Sequence, residues 1–289
     1  RLLALFLAAV ALPVQARVLL NEVHINPPSA SDQTHQYLEI LTVSDSNVPE
    51  AQTLGNLSVL FVDSNGITVG GITEHVNLNG LQTGANGLLL VGLNFDAAVP
   101  WTIAAETVTA NFAAVRGAGG AVDIGPKSGL TTLLVEGFTG ANGNDLDTNN
   151  DGALDSRPWG TLLDSVAYGD NPYETTLTAG GAPDNISRSA ANTTANAADA
   201  WYGGNLLDTA GLLSLTYDDP FGPFTGAATP GLPNQGPPSE NPVRFNEVLV
   251  NPAGEDANNE FIELISTSGG IGKTLLSIKL TIASARRAW

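Results

Sequence analysis

The chain has 289 residues, 43% of them apolar, which is enough for a true core in one large or two ordinary domains. Asp and Glu outnumber Lys and Arg by 29 to 11, a balance that argues against binding nucleic acid or anionic lipid. Cys is absent, which excludes disulfides, thiolate metal sites and a cysteine nucleophile.

Residues 1–16, RLLALFLAAVALPVQA, form an apolar run behind one Arg. The run is short for a membrane span, and Val14-Gln15-Ala16 approximates a small-x-small cleavage site. It reads as most of a signal peptide, cut after Ala16, and the lack of an initial Met reads as an incomplete start. No later stretch is apolar for long enough to span a membrane, so the mature chain is expected outside the cytoplasm, secreted or in the cell envelope.

Short runs rich in Val, Leu, Ile and Thr follow at 18–25, 37–43, 57–62, 87–93, 121–124, 131–138, 162–168 and 212–217. Gly 32 and Pro 17 supply the turns between them, and no segment sustains a 3.6-residue apolar period. The pattern predicts an all-β chain, most simply a sandwich of antiparallel sheets. Residues 57–62, then Asp63-Ser64-Asn65-Gly66, then 67–69 read as a hairpin. Around Asn21-Glu22-Val23, a period of two places Val23 and Ile25 on one face, with Glu22 and His24 on the other. Trp101, Trp159 and Trp201 are isolated aromatics, read as packing anchors rather than a ligand platform.

Residues 145–155, DLDTNNDGALD, carry the clearest chemistry. From Asp147 the spacing places Asp147, Asn149 and Asp151 at loop positions 1, 3 and 5, with Gly152 at the sharp turn. The Ala153 carbonyl and Asp155 complete an oxygen-only set that favours Ca²⁺. Asp145 is either a further ligand or a group behind one. Pro158 stands where an EF-hand needs Glu, so the loop is of a shorter kind. The competing reading is a polar turn without an ion, in which four carboxylates repel one another.

Residues 189–200 are small and polar and read as a surface loop. Residues 229–242, TPGLPNQGPPSENP, are too rich in Pro for a strand, and 236–242 is read as a linker. Directly after it, VRFNEVLVNPAGEDANNEFIELISTS repeats the pattern of VLLNEVHINPPSASDQTHQYLEILTV from residues 18–43. Each has Asn-Glu-Val, Asn-Pro, an acidic spacer and aromatic-aliphatic-Glu-aliphatic. Forty-seven residues follow the linker, too few for a second sandwich, so 243–289 is expected to be an incomplete copy. The basic tail 273–289 breaks the acidic character of the rest.

Leu20-Asn21-Glu22-Val23, Asn26-Pro27 and Tyr37-Leu38-Glu39-Ile40 at the start, with Ala228-Thr229-Pro230-Gly231-Leu232-Pro233-Asn234 at the end, resemble the two ends of a bacterial, secreted lamin tail domain. The resemblance covers 17–235 and implies an immunoglobulin-like β-sandwich, here lengthened by an insertion around 140–205 that contains the calcium loop. It supplies no catalytic residues. Such modules occur beside hydrolase or phosphoesterase domains.

Other chemistry is sparse. GGIGKT at 269–274 lacks the first Gly of a phosphate-binding loop. His24, His35 and His75 have no metal-ligand spacing. Asn56, Asn185 and Asn192 begin short N-x-Ser/Thr triplets, and no serine-nucleophile elbow occurs. Glu22 and Glu39 form a carboxylate pair, but Glu247 and Glu263 repeat it, which points to a structural role. The expected function is non-catalytic: an exported, calcium-stabilised module that meets a protein or polysaccharide at the cell surface. The alternative is the non-catalytic front of a secreted hydrolase or phosphoesterase.

Overall fold

A computed structural model describes residues 16–28, 35–65, 69–92, 101–115, 124, 128–169, 172–177, 182–207, 214–221 and 227–235, together with the backbone of 244–249, 261–267 and 275–281. The chain divides into two compact units, Arg1–Gln235 and Gly236–Trp289. The leader 1–15 and most of the 269–274 motif lie outside the described residues.

The first unit is all-β. Its strands are β1 Arg17–His24, β2 Tyr37–Val43, β3 Leu57–Asp63, β4 Ile72–Asn77, β5 Leu88–Gly92 and β6 Val108–Asn111, then β7 Gly129–Glu136, β8 Thr161–Gly169, β9 Asn185–Arg188, β10 Trp201–Leu206 and β11 Tyr217–Phe221. A single helical turn, Phe112–Val115, follows β6. The large sheet runs β11-β10-β9-β1-β2-β5-β6 and the small one β4-β3-β7-β8. Every named pair is antiparallel except β5–β6, which departs from the purely antiparallel expectation. The hairpin partner of β3 is β4, further along than residues 67–69. Residues 121–123 and 212–213 of two expected strands lie outside the described residues. The stretch 140–205 contributes β8, β9 and the start of β10, so much of the expected insertion is built into the two sheets.

The sheets pack face to face. Leu20, Val23, Leu38, Ile40, Leu89 and Ile186 of the large sheet share one core with Val59, Phe61, Val76, Leu134, Val166 and Tyr168 of the small sheet. Leu20 and Val23 face the same way although three residues separate them. Asn21 explains this: Leu20 lies opposite Ile40 and Glu22 opposite Glu39, so Asn21 is the extra residue of a β-bulge. Bulge and alternation send Glu22 and His24 to the outer face.

That outer face is not solvent. Residues 101–108, 214–221 and 227–235 cover it, and from Leu19 to His24 β1 is buried throughout. Tyr37, Leu90 and Trp101 form one small cluster there, and Tyr202, Leu206, Tyr217 and Ala228 another. The small sheet is covered in the same way. Leu60, Val62, Ile72, Leu133 and Val135 pack outward against Leu146 and Tyr173, with Phe138, Leu154 and Trp159 at the margin.

A buried ion pair ties the sheets together at their edge. The Arg188 guanidinium of β9 meets Asp164 of β8, both within 1% of full burial. Asp164 also accepts from the Leu20 and Asn196 N–H groups at 3.0 and 2.8 Å. Arg188 donates to the carbonyls of Leu20 and Thr194 at 2.7 and 2.9 Å and lies 4.5 Å over the Trp201 ring. The 189–200 segment is thus a mostly surface-exposed loop fixed from below by one arginine.

The second unit is a three-stranded antiparallel sheet in the order β12 Arg244–Leu249, β13 Phe261–Thr267, β14 Leu275–Thr281.

Candidate functional site

Two polar constellations stand out: the acidic loop and the outer face of β1–β2.

Residues 137–160 leave β7, cross the outer face of the small sheet and return as β8. Leu146 anchors this segment. It is fully buried, its N–H reaches the Gly70 carbonyl at 2.8 Å, and its own carbonyl accepts from Asp155 N–H at 2.7 Å. Fixing Leu146 buries its neighbour Asp147. One Asp147 oxygen accepts from Asp151 N–H at 3.1 Å, the other from Gly152 N–H at 3.0 Å and from the Tyr173 hydroxyl at 2.8 Å. Burial works to raise the Asp147 carboxyl, but Tyr173 and the N–H groups of Gly152, Asp151 and Asn150 hold it below its ordinary value. Tyr173 is pushed up by burial and by Asp147.

The turn continues through short side-chain bonds. Asn149 Oδ1 accepts from Asp151 N–H at 3.0 Å, and its amide donates to Asp151 Oδ2 at 3.1 Å. Asp151 Oδ1 accepts from Ala153 N–H at 3.0 Å. Positive φ at Asn150 (56°) and Gly152 (84°) folds the loop back on itself. The expected ligands Asp147, Asn149 and Asp151 therefore come together. Asp155 does not join them: it accepts from the Thr148 hydroxyl at 2.8 Å. Asp145 accepts from Asp147 N–H at 3.0 Å and stands behind that carboxylate. Arg157 turns to Glu174 at 2.9 Å. Among the described residues no three His, Cys, Asp or Glu groups converge as a metal site. The donor set suits Ca²⁺ in chemistry, all oxygen with its first carboxylate held ionised; a cation would have to draw Asp155 away from Thr148.

The second constellation was not foreseen as a site. Glu22 and Glu39 lie directly opposite one another, and both are fully buried. Glu22 accepts from the Tyr37 hydroxyl, from Thr229 N–H at 3.1 and 3.2 Å and from the Thr229 hydroxyl at 3.1 Å. Glu39 accepts from the Asn21 amide at 2.5 Å and from Gly231 N–H at 2.7 Å. The Asn234 amide donates to the carbonyls of Asn21 and Arg188 at 3.0 and 2.7 Å. The Thr-Pro-Gly-Leu-Pro-Asn segment is thus a clasp across the bulged hairpin. Gly231 is required: its φ is 69°, and a Cβ there would meet Ile103 at 2.6 Å. Burial raises Glu22 to about 7; burial and then the Glu22 charge lift Glu39 well above the carboxylate range.

His24 extends this face. Asn185 Nδ2 donates to Ser187 and Tyr217, which leaves its Oδ1 to accept from His24 Nδ1 at 3.1 Å. Burial lowers His24 to about 4, so the ring is neutral. It stacks on Tyr37 at 4.6 Å and meets the edge of Trp101 at 5.8 Å. His75 pairs with Ser58 at 3.0 Å on the small sheet. Trp101 and Trp201 are both packing residues. Asn185 is fully buried, so its N-x-Ser triplet is closed to modification in the folded chain.

The signal that could have revealed the clasp was the apolar spacing Leu20–Val23, which breaks the period of two at Asn21. Its partners at 229–234 are about two hundred residues away, and no local pattern names them. Comparison of the chain with protein-family models, curated proteins and solved structures finds no match.

Proposed function

We propose that this chain is an exported, non-catalytic β-sandwich module of the lamin-tail kind, which meets a protein or polysaccharide at the cell surface. The observation that carries the reading is the state of Glu22 and Glu39. A carboxylate pair in acid–base work must reach substrate. This pair is fully buried and its oxygens are engaged by the clasp. The lamin-tail assignment rests on the same residues, because the start and end motifs that carry the resemblance are the two halves of the clasp.

Ca²⁺ is the proposed stabiliser of the acidic loop, held by Asp147, Asn149, Asp151, the Ala153 carbonyl and Asp155. When bound it would neutralise the repulsion among the loop carboxylates. The chain's own contribution is a prefolded turn, with Asp147 fixed by Tyr173 and two backbone N–H groups.

The test begins with expression from the native start in a bacterial host. Product is expected outside the cytoplasm, beginning at Arg17; uncleaved cytoplasmic product would contradict export. Purified protein is then melted in EDTA and in millimolar Ca²⁺. Calcium at a hundredfold excess over Kd should stabilise the fold by about 2.7 kcal/mol, and Asp151→Ala should remove that response while retaining a cooperative melt. Equal midpoints with no heat on titration would exclude the calcium site.

A further inference from the structure

The second unit repeats the bulged hairpin of the first in the same register. In β12–β13, Phe245 lies opposite Leu264 and Glu247 opposite Glu263, with Asn246 as the extra residue. In β1–β2 the corresponding partners are Leu20 with Ile40 and Glu22 with Glu39, and Asn21 is extra. Asn246, Glu247 and Glu263 therefore occupy the backbone positions of Asn21, Glu22 and Glu39. One position differs: Phe261 stands where Tyr37 supplies a hydroxyl to the first carboxylate.

Two like charges directly opposite one another on a sheet destabilise it unless donors answer them. In the first unit the donors come from Thr229, Gly231 and the Asn21 amide, with Asn234 locking the segment to β1. The Thr-Pro-Gly-x-x-Asn pattern occurs once in the 289 residues, and that copy is committed to Glu22 and Glu39.

We propose that the β12–β13 hairpin is a docking site for a Thr-Pro-Gly-x-x-Asn segment presented by a partner polypeptide. The segment suits the task for reasons visible in the first unit. Its Thr offers an N–H and a hydroxyl to one carboxylate. Its Gly takes the left-handed turn that aims an N–H at the other. Its Pro limits the freedom lost on docking. Because Phe261 contributes no hydroxyl, the Thr of the incoming segment carries more of the burden at Glu247 than Thr229 does at Glu22.

The probe is a synthetic peptide with the sequence of residues 227–235, AATPGLPNQ, titrated calorimetrically into the full chain. A control peptide carries Thr229→Val and Asn234→Ala. Saturable one-to-one binding is expected, at least tenfold weaker for the control and lost in a chain with Glu247→Ala and Glu263→Ala. No heat at millimolar peptide would overturn the proposal, and so would equal affinity for the two peptides. Binding that survives Glu247→Ala and Glu263→Ala but disappears with Glu39→Ala would place the peptide in competition with the first unit's own clasp, and would also overturn it. Should the double variant perturb the second unit, the comparison of the two peptides on the unaltered chain still decides.

Discussion

A carboxylate taken from water into a protein interior stays charged only where donors replace the lost water. Asp147 meets that condition with two N–H groups and a phenol, and its carboxyl is held low. Glu22 and Glu39 share a cramped apolar face and are held high. Stability then depends on pH with opposite signs. A group whose folded pKa is raised stabilises fully below its unfolded value, and that contribution disappears as pH rises through the folded value. For Glu22 the window runs from about 4.5 to about 7, and Glu39 adds to it in the same direction. His24 opposes them: lowered from 6.5 to about 4, it adds stability as pH rises across nearly the same window. Each of the two shifts with a stated value corresponds to roughly 3 kcal/mol at most. The wild-type melting temperature should therefore change little between pH 5 and 6.5 and fall above pH 7, as Glu39 ionises without a counterweight. Glu39→Gln, which cannot ionise, should gain on wild type steadily from pH 5 to 8. A constant difference between the two across that range would exclude the linkage.

Between residues and whole molecule stand the covering segments, and Gly70 shows how closely they fit. Its φ is 81°, and an added Cβ would lie 2.7 Å from both the N and Cβ atoms of Asp147. Gly70→Ala should thus displace the acidic loop from the small sheet as well as strain its own backbone, at a cost of about 1–3 kcal/mol. Chemical denaturation would measure the loss, and an unchanged midpoint would show that the loop packs loosely. This is also the scale at which the sequence was most and least readable. β1, β2, β3, β5, β7 and β8 were evident, because apolar β-branched runs between turn residues need only a buried face. β9 and β10 were not: NISR and WYGGNL contain no such run. Asn185, Ser187 and Arg188 look like surface residues but are buried by Tyr217, Leu20 and Asp164, partners 24 to 168 positions away. The acidic loop was legible in its spacing, and its Asp147–Asn149–Asp151 turn formed. The role of Tyr173 was not, since nothing near position 173 points back to 147.

Across the whole first unit, the chain enters along β1 and finishes by closing over it. Thr229 is 207 residues from Glu22, Gly231 is 192 from Glu39, and Asn234 is 213 from Asn21. A chain ended at residue 227 keeps every strand of both sheets but leaves two buried carboxylates without most of their donors. Removing one partner of a buried charge costs about 3–5 kcal/mol, and net domain stability is about 5–15 kcal/mol. The 17–227 chain should therefore melt far below the 17–235 chain or show no cooperative transition. Equal midpoints by calorimetry would show that the clasp is ornamental. The same separation sets a timetable for synthesis. At about 5–20 residues per second, a ribosome needs at least ten seconds between making Glu22 and making the residues that cover it. Through that interval the two glutamates remain best solvated in an open chain. The polypeptide is thus kept pliable while it is being made, and locks only when its last turn arrives.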